Sequence, residues 1–130
     1  MPITRTTTRT FSSEDIDVCA RLTGDLGSHH MAGHGGRRMT QGALTLSAVP
    51  LLDEPGVHMR ELSFAFLAPV YAGDTVTASV RATETGEPAA DRALLACEIS
   101  VTNGDGTPVL AGTGVADVPR TLADAAGGRG

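Results

Sequence analysis

Asp25, His29 and His30 lie within six residues of one another, in the stretch Gly24-Asp25-Leu26-Gly27-Ser28-His29-His30. A carboxylate and an imidazole are the side chains best suited to moving protons near neutral pH. Asp25 directly after a glycine equally suits the capping of a turn. Downstream, Gln41-Gly42-Ala43-Leu44 opens an apolar run. Gln41, the only Gln in the chain, would hydrogen-bond a ligand or simply begin the helix. Arg37 and Arg38 either meet phosphate groups or stand as solvated loop charges. His29, His30 and His34 could gather round a metal ion. No carboxylate or cysteine joins them at a familiar ligand spacing, so no metal is expected.

Composition removes several other chemistries. A chain of 130 residues, 41% of them apolar, is one domain with one core. Its net charge of −5, three Phe and one Tyr argue against a nucleic-acid partner. All ten basic residues are Arg, which excludes Schiff-base chemistry through lysine. Cys19 and Cys97 are too far apart in sequence for a zinc ribbon or a redox pair and read as buried thiols. Neither a membrane-length apolar run nor a signal-peptide pattern is present, so a soluble cytoplasmic protein is the expectation.

The flanking elements must position these residues. Ile3 to Phe11, rich in Thr, reads as an extended edge strand. Ser12 followed by Asp15 three residues on is a capping box, with Phe11 and Ile16 placed as a hydrophobic staple. The helix it opens carries Ile16, Cys19, Ala20 and Thr23 at helical spacing and ends at Gly24. A glycine-rich loop reaches Arg38. Thr40 then caps a second helix whose apolar residues (Ala43, Leu44, Leu46, Ala48, Val49) surround most of its circumference, which predicts burial on nearly all sides. Pro50 ends it near Val49. From there the pattern changes to period two, predicting strands over Val57–Phe66, Asp74–Thr85, Ala90–Thr102 and Thr107–Val118. Asn103-Gly104-Asp105-Gly106 is a hairpin turn, and Thr121–Gly130 reads as a frayed tail. The fold class is α+β, an antiparallel sheet wrapped around a central helix, with residues 1–120 as the domain and 121–130 as a flexible C-terminal tail.

Three segments resemble a known family. Gly24-Asp25-Leu26-Gly27-Ser28-His29-His30 is similar to the Gly-Asp-x-Asn-Pro-(Leu/Ile)-His signature of the MaoC-like, R-specific enoyl-thioester hydratases and dehydratases. Phe66-Leu67-Ala68-Pro69-Val70-Tyr71-Ala72-Gly73-Asp74-Thr75-Val76 resembles that family's Phe-x-x-Pro-Val-x-x-Gly-Asp-x-Val segment. Gln41-Gly42-Ala43-Leu44 stands where the family has His-Gly-Met-Leu. Gly27 and Ser28 replace the family's Asn and Pro, and His29 stands where an apolar residue is usual.

The resemblance implies a single hot-dog domain, a homodimer whose sheets join edge to edge, and no cofactor. It implies an acyl-CoA or acyl-carrier-protein thioester as substrate, with Asp25 and His30 as the acid–base pair and the Gly42 N–H at the oxyanion. Gln41, His29 and Tyr71 are further candidates for substrate contact, and Arg37 and Arg38 for the carrier phosphates. The reaction expected is hydration of an enoyl thioester or dehydration of a 3-hydroxyacyl thioester, within specialised metabolism. Thioester hydrolysis, amine addition to the same conjugated thioester, and a non-catalytic hot-dog subunit are the alternatives.

Overall fold

The structure, a computed structural model, describes residues 2–25, 27, 30, 38–51, 54–87 and 89–127. Among the described residues, five strands and three helices follow one another as β1 (Ile3–Thr10), α1 (Ser13–Thr23), α2 (Gly42–Leu46), β2 (His58–Phe66), β3 (Thr75–Thr85), β4 (Arg92–Asn103), β5 (Pro108–Pro119) and α3 (Arg120–Gly127). The strands form one antiparallel sheet in the order β1-β3-β4-β5-β2. β1 and β2 are therefore its two edges.

Period-two patterning sets which face of the sheet is buried. Val76, Ala78, Val80 and Ala82 of β3 turn inward, as do Ala93, Leu95, Cys97, Ile99 and Val101 of β4. They close on Phe11, Ala48, Val49, Leu51 and Val70. The inward alanines leave room for the segment around α2 to lie against the sheet. Burial pushes the Cys97 thiol above its ordinary pKa, so it stays protonated and acts as a small apolar group.

Local signals place α1. Ser12 Oγ accepts from the Asp15 N–H at 3.1 Å, and Asp15 Oδ2 accepts from the Ser12 N–H at 2.8 Å, completing the capping box. Gly24 ends the helix in the left-handed conformation at φ 75°, which glycine adopts without the Cβ clash other residues meet. The β4–β5 hairpin is held as its sequence indicates, with Asn103 Oδ1 accepting from the N–H groups of Asp105 and Thr107.

Two elements depart from expectation. The central helix begins at Gly42 and is regular for only five residues, with Gln41 at its N-cap position in place of Thr40. Beyond Leu46 the chain tightens: Ala48 N–H donates to Thr45 O and Val49 N–H to Leu46 O, which are i→i−3 bonds. Pro50 disfavours the α conformation in the residue before it, and the helix runs out ahead of it. Nor is the segment buried all round, since Ala43 and Ser47 are exposed.

The second departure is at the C-terminus. Where a frayed tail was expected, α3 forms over Arg120–Gly127. Its alanines have high intrinsic helix propensity. Arg120 locks its start by donating to both carboxylate oxygens of Glu84 (2.8 and 2.9 Å) and to the carbonyls of Ala89 and Arg92.

Candidate active site

Asp25 is the first residue beyond the left-handed Gly24, and its N–H donates to Thr23 Oγ1 at 3.2 Å. The His30 N–H donates to Gly27 O at 2.9 Å. The two side chains meet: His30 Nε2 lies 3.3 Å from Asp25 Oδ2. The environments differ sharply, because the His30 side chain is 6% exposed and that of Asp25 47%.

The other ring nitrogen fixes the proton inventory. His30 Nδ1 lies 2.8 Å from Met39 O. A carbonyl only accepts, so Nδ1 carries a hydrogen. Nε2 is therefore a bare lone pair in neutral His30 and an N–H donor in the imidazolium. In either state it faces Asp25.

The Phe-Leu-Ala-Pro-Val segment supports the ring from behind. Thr40 N–H donates to Val70 O at 2.7 Å, and Ala72 N–H to Arg38 O at 2.9 Å, so residues 38–40 are pinned against residues 70–72. Met39, bridged to Tyr71, is held between them and presents its carbonyl to His30. Gly73 and Asp74 anchor that segment: Gly73 takes φ 92°, its N–H donates to Phe11 O at 2.7 Å, and Asp74 Oδ2 accepts from the Tyr71 N–H at 2.9 Å.

Arg38 serves this scaffold. Its Nε donates to His30 O at 2.8 Å and its Nη2 to Asp17 Oδ1 at 2.7 Å, tying the backbone of the imidazole residue to α1. That hydrogen bond holds the Asp17 carboxyl below its ordinary pKa of 3.8. A depressed pKa means stability that is present above the unfolded value and lost as pH falls through the folded one. Below about pH 3.8 the Asp17→Asn protein should therefore lose less stability than the native chain, a difference that thermal melts across an acid series would show.

Of the pair, His30 lines a cavity of about 480 Å³, whose described lining is His30, Met39, Thr40, Gly42, Thr45, Phe66, Leu67, Ala68, Pro69, Val70 and Val109; Asp25 is not among these residues. That volume lies within the usual range for a small-molecule site. Most of the wall is apolar. Phe66 and Leu67, 56% and 54% exposed, form its outer lip, whereas Val70 and Val109 are buried. Gly42 is required here for space: a Cβ on it would run into the Phe66 ring. In Gly42→Ala the exposed ring can swing aside. The melting temperature should therefore hold, while the displaced lip raises KM several-fold in steady-state kinetics.

Other sequence candidates fall elsewhere. Gln41 is fully buried, and its Nε2 donates to Ile16 O at 3.0 Å, so it braces α2 against α1. Tyr71 is half-buried and is not among the described residues that line the cavity. His29, His34 and Arg37 lie outside the described residues. Among those described, no group of three or more His, Cys, Asp or Glu could hold a metal ion. Sequence reasoning passed over Thr45, Met39 and Phe66 as wall residues and took Thr40 for a helix cap. Two threonines interrupting an apolar run were the available signal.

The chain matches no family model and no curated protein. Solved structures do match. The (R)-hydratase from A. caviae, described as involved in PHA biosynthesis, is similar with a TM-score of 0.72 and 24% identity over 89% of this chain and 94% of that one. R-hydratase PhaJ1 from Pseudomonas aeruginosa gives a TM-score of 0.72 and 20% identity over 89% of this chain and 79% of its own. A MaoC-like dehydratase from Rhodospirillum rubrum gives 0.71 and 18%, over 92% and 90%.

Proposed function

We propose that this chain, which has the hot-dog fold of the MaoC-like hydratases and dehydratases, adds water to an enoyl thioester or runs the reverse. The observation that carries the reading is the Asp25–His30 pair, whose imidazole lines an apolar cavity that Gly42 also lines.

Each proton in the reaction has a place. In the hydration direction Asp25 is ionised and His30 is the imidazolium. Asp25 takes a proton from water as its oxygen bonds the β-carbon. The electron pair of the double bond moves toward the thioester carbonyl, and Nε2–H delivers a proton to the α-carbon. Protonated Asp25 and neutral His30 remain. With Oδ2 3.3 Å from Nε2, the proton passes from one to the other and the pair is reset. Dehydration is the same sequence reversed.

The thioester oxygen becomes enolate-like and needs a donor already aimed at it. Gly42 N–H, in the first turn of α2, is that donor. A five-residue helix carries little macrodipole, so the local N–H does the stabilising. The apolar wall accepts the acyl chain, and the carrier, coenzyme A or an acyl-carrier protein, leaves past the exposed Leu67.

The domain works as a homodimer joined at β2. That edge strand leaves Phe64 37% and Phe66 56% exposed, their rings in edge-to-face contact with centroids 5.3 Å apart. An unpaired edge bearing aromatic groups favours pairing with a second chain. No described helix is long and apolar enough to cross a membrane.

The test pairs crotonyl and butyryl thioesters with a thiol reagent. Loss of enoyl absorbance without thiol release is the expected result. Free thiol from the saturated butyryl substrate would instead make the protein a thioesterase.

A further inference from the structure

The three groups of the proposed reaction sit on separate pieces of chain. Asp25 hangs from the end of α1, through Gly24 and its own N–H on Thr23 Oγ1. His30 follows it, and Gly42 opens α2. Segment 38–42 is fixed on one side, where hydrogen bonds from Thr40 N–H and Ala72 N–H join it to residues 70–72. What remains to be registered is α1, and with it Asp25.

Apolar packing alone registers α1 poorly. Its buried face, Ile16, Cys19 and Ala20, lies outside the main core, the cluster that joins Phe11, Val49 and Leu51 to the sheet. Apolar contact is also non-directional. Two polar ties supply direction, and they land on adjacent residues of α1. Arg38 spans His30 O (Nε, 2.8 Å) and Asp17 Oδ1 (Nη2, 2.7 Å). Gln41 Nε2 donates to Ile16 O at 3.0 Å. Gln41 is fully buried, and its Oε1 has no hydrogen-bond partner among the described residues. An apolar side chain of similar length would avoid that cost, so burial alone gives no reason for an amide here.

We infer that Arg38 and Gln41 are positioning residues: by holding segment 38–42 against Ile16 and Asp17 of α1, they set the acid of the site in register with its base and its oxyanion donor. This rests on reading Asp25, His30 and Gly42 as the working groups of a hydratase. The leverage is steep. Thr23 lies beyond Asp17 by about 9 Å along the helix axis. A tilt of about 6° at Asp17 therefore carries the end of α1, and Asp25 with it, through about 1 Å. Misplacing a reacting group by that much costs on the order of 10²-fold in rate. Neither side chain is among the described residues of the cavity wall, so each acts through the groups it holds.

Two variants separate positioning from stability. Gln41→Met gives up the tie and the unmet acceptor together. Arg38→Lys keeps a cation for Asp17 but lacks the guanidinium fork that also reaches His30 O. Both should melt close to the native chain. With crotonyl thioester, kcat should fall about 10- to 100-fold in each, with KM within about twofold of native. Their crystal structures should show the Asp25 Oδ2–His30 Nε2 separation widened from 3.3 Å by about 1 Å.

A side chain that only stabilises the fold would lower the melting temperature and leave kcat, KM and the separation alone. That result in either variant overturns the inference. So does a fall in kcat with the separation unchanged, or a rise in KM with kcat intact. Should one variant fail to fold, the other decides. Native and variant chains that hydrate crotonyl thioester equally well would sink the inference and leave the hydratase standing. If the native chain hydrates nothing, the hydratase reading falls and the separations alone decide: widened, they support the register, and unchanged, they overturn it.

Discussion

On the proposed mechanism, replacing Asp25 by Asn should lower the rate of enoyl-thioester hydration by roughly 10²–10⁴-fold, the usual worth of one positioned acid–base group. An amide is close to isosteric with the carboxylate but cannot take the proton of the attacking water. Nor can it return one to His30 Nε2, 3.3 Å away in the native chain. The loss falls on kcat, because a chemical step is removed and the cavity wall is untouched. The Asp25 side chain is 47% exposed. Changes at such surface positions stay within about 0.5 kcal/mol, so the melting temperature should not move. Steady-state kinetics beside a thermal melt check both halves. A variant that kept native activity would mean the carboxylate only caps the turn.

His30→Ala produces a second large loss, of similar size in rate, with a different stability signature. Its ring is buried and holds Met39 O at 2.8 Å. Truncation leaves that carbonyl without the ring's hydrogen bond and opens space beside it, which costs about 1–3 kcal/mol for the unmet group alone. The melting temperature should fall by several degrees, unlike that of Asp25→Asn. Since acid and base act as one unit, the double variant should lose little more activity than either single one. Multiplicative losses would show that the two act in separate steps.

Features governed by short-range rules were legible in the chain itself. The Ser12–Asp15 box, the glycine stop at Gly24 and the Asn103 hairpin each depend on neighbours within four residues. Period two likewise gave the inward faces of β3 and β4, because a strand has only two faces to choose between. In the site, it was the resemblance to the hydratase signature that implied Asp25 and His30 as a pair, and their side chains lie 3.3 Å apart.

What the sequence hid depends on long-range direction. Arg38 was a candidate for phosphate, but its guanidinium turns to Asp17, 21 residues earlier. Gln41 reaches back through Nε2 to Ile16 O. Thr40 has the composition of a helix cap, yet its hydroxyl pairs with Thr45. Nothing in local propensity says which way such side chains point; that is decided when α1 and α2 come together. The short central helix has a similar cause. Its apolar residues are spaced for a longer helix, but Pro50 and the i→i−3 bonds before it tighten the chain first.

The central claim is that water adds across a carbon–carbon double bond while the thioester stays whole. Incubating a crotonyl thioester with the protein in heavy-oxygen water, then locating the label by mass spectrometry, tests it most directly. The account predicts the heavy oxygen on the β-carbon of an intact 3-hydroxyacyl thioester, with that label lost in Asp25→Asn. Heavy oxygen in a free carboxylate, with the double bond retained, would contradict it.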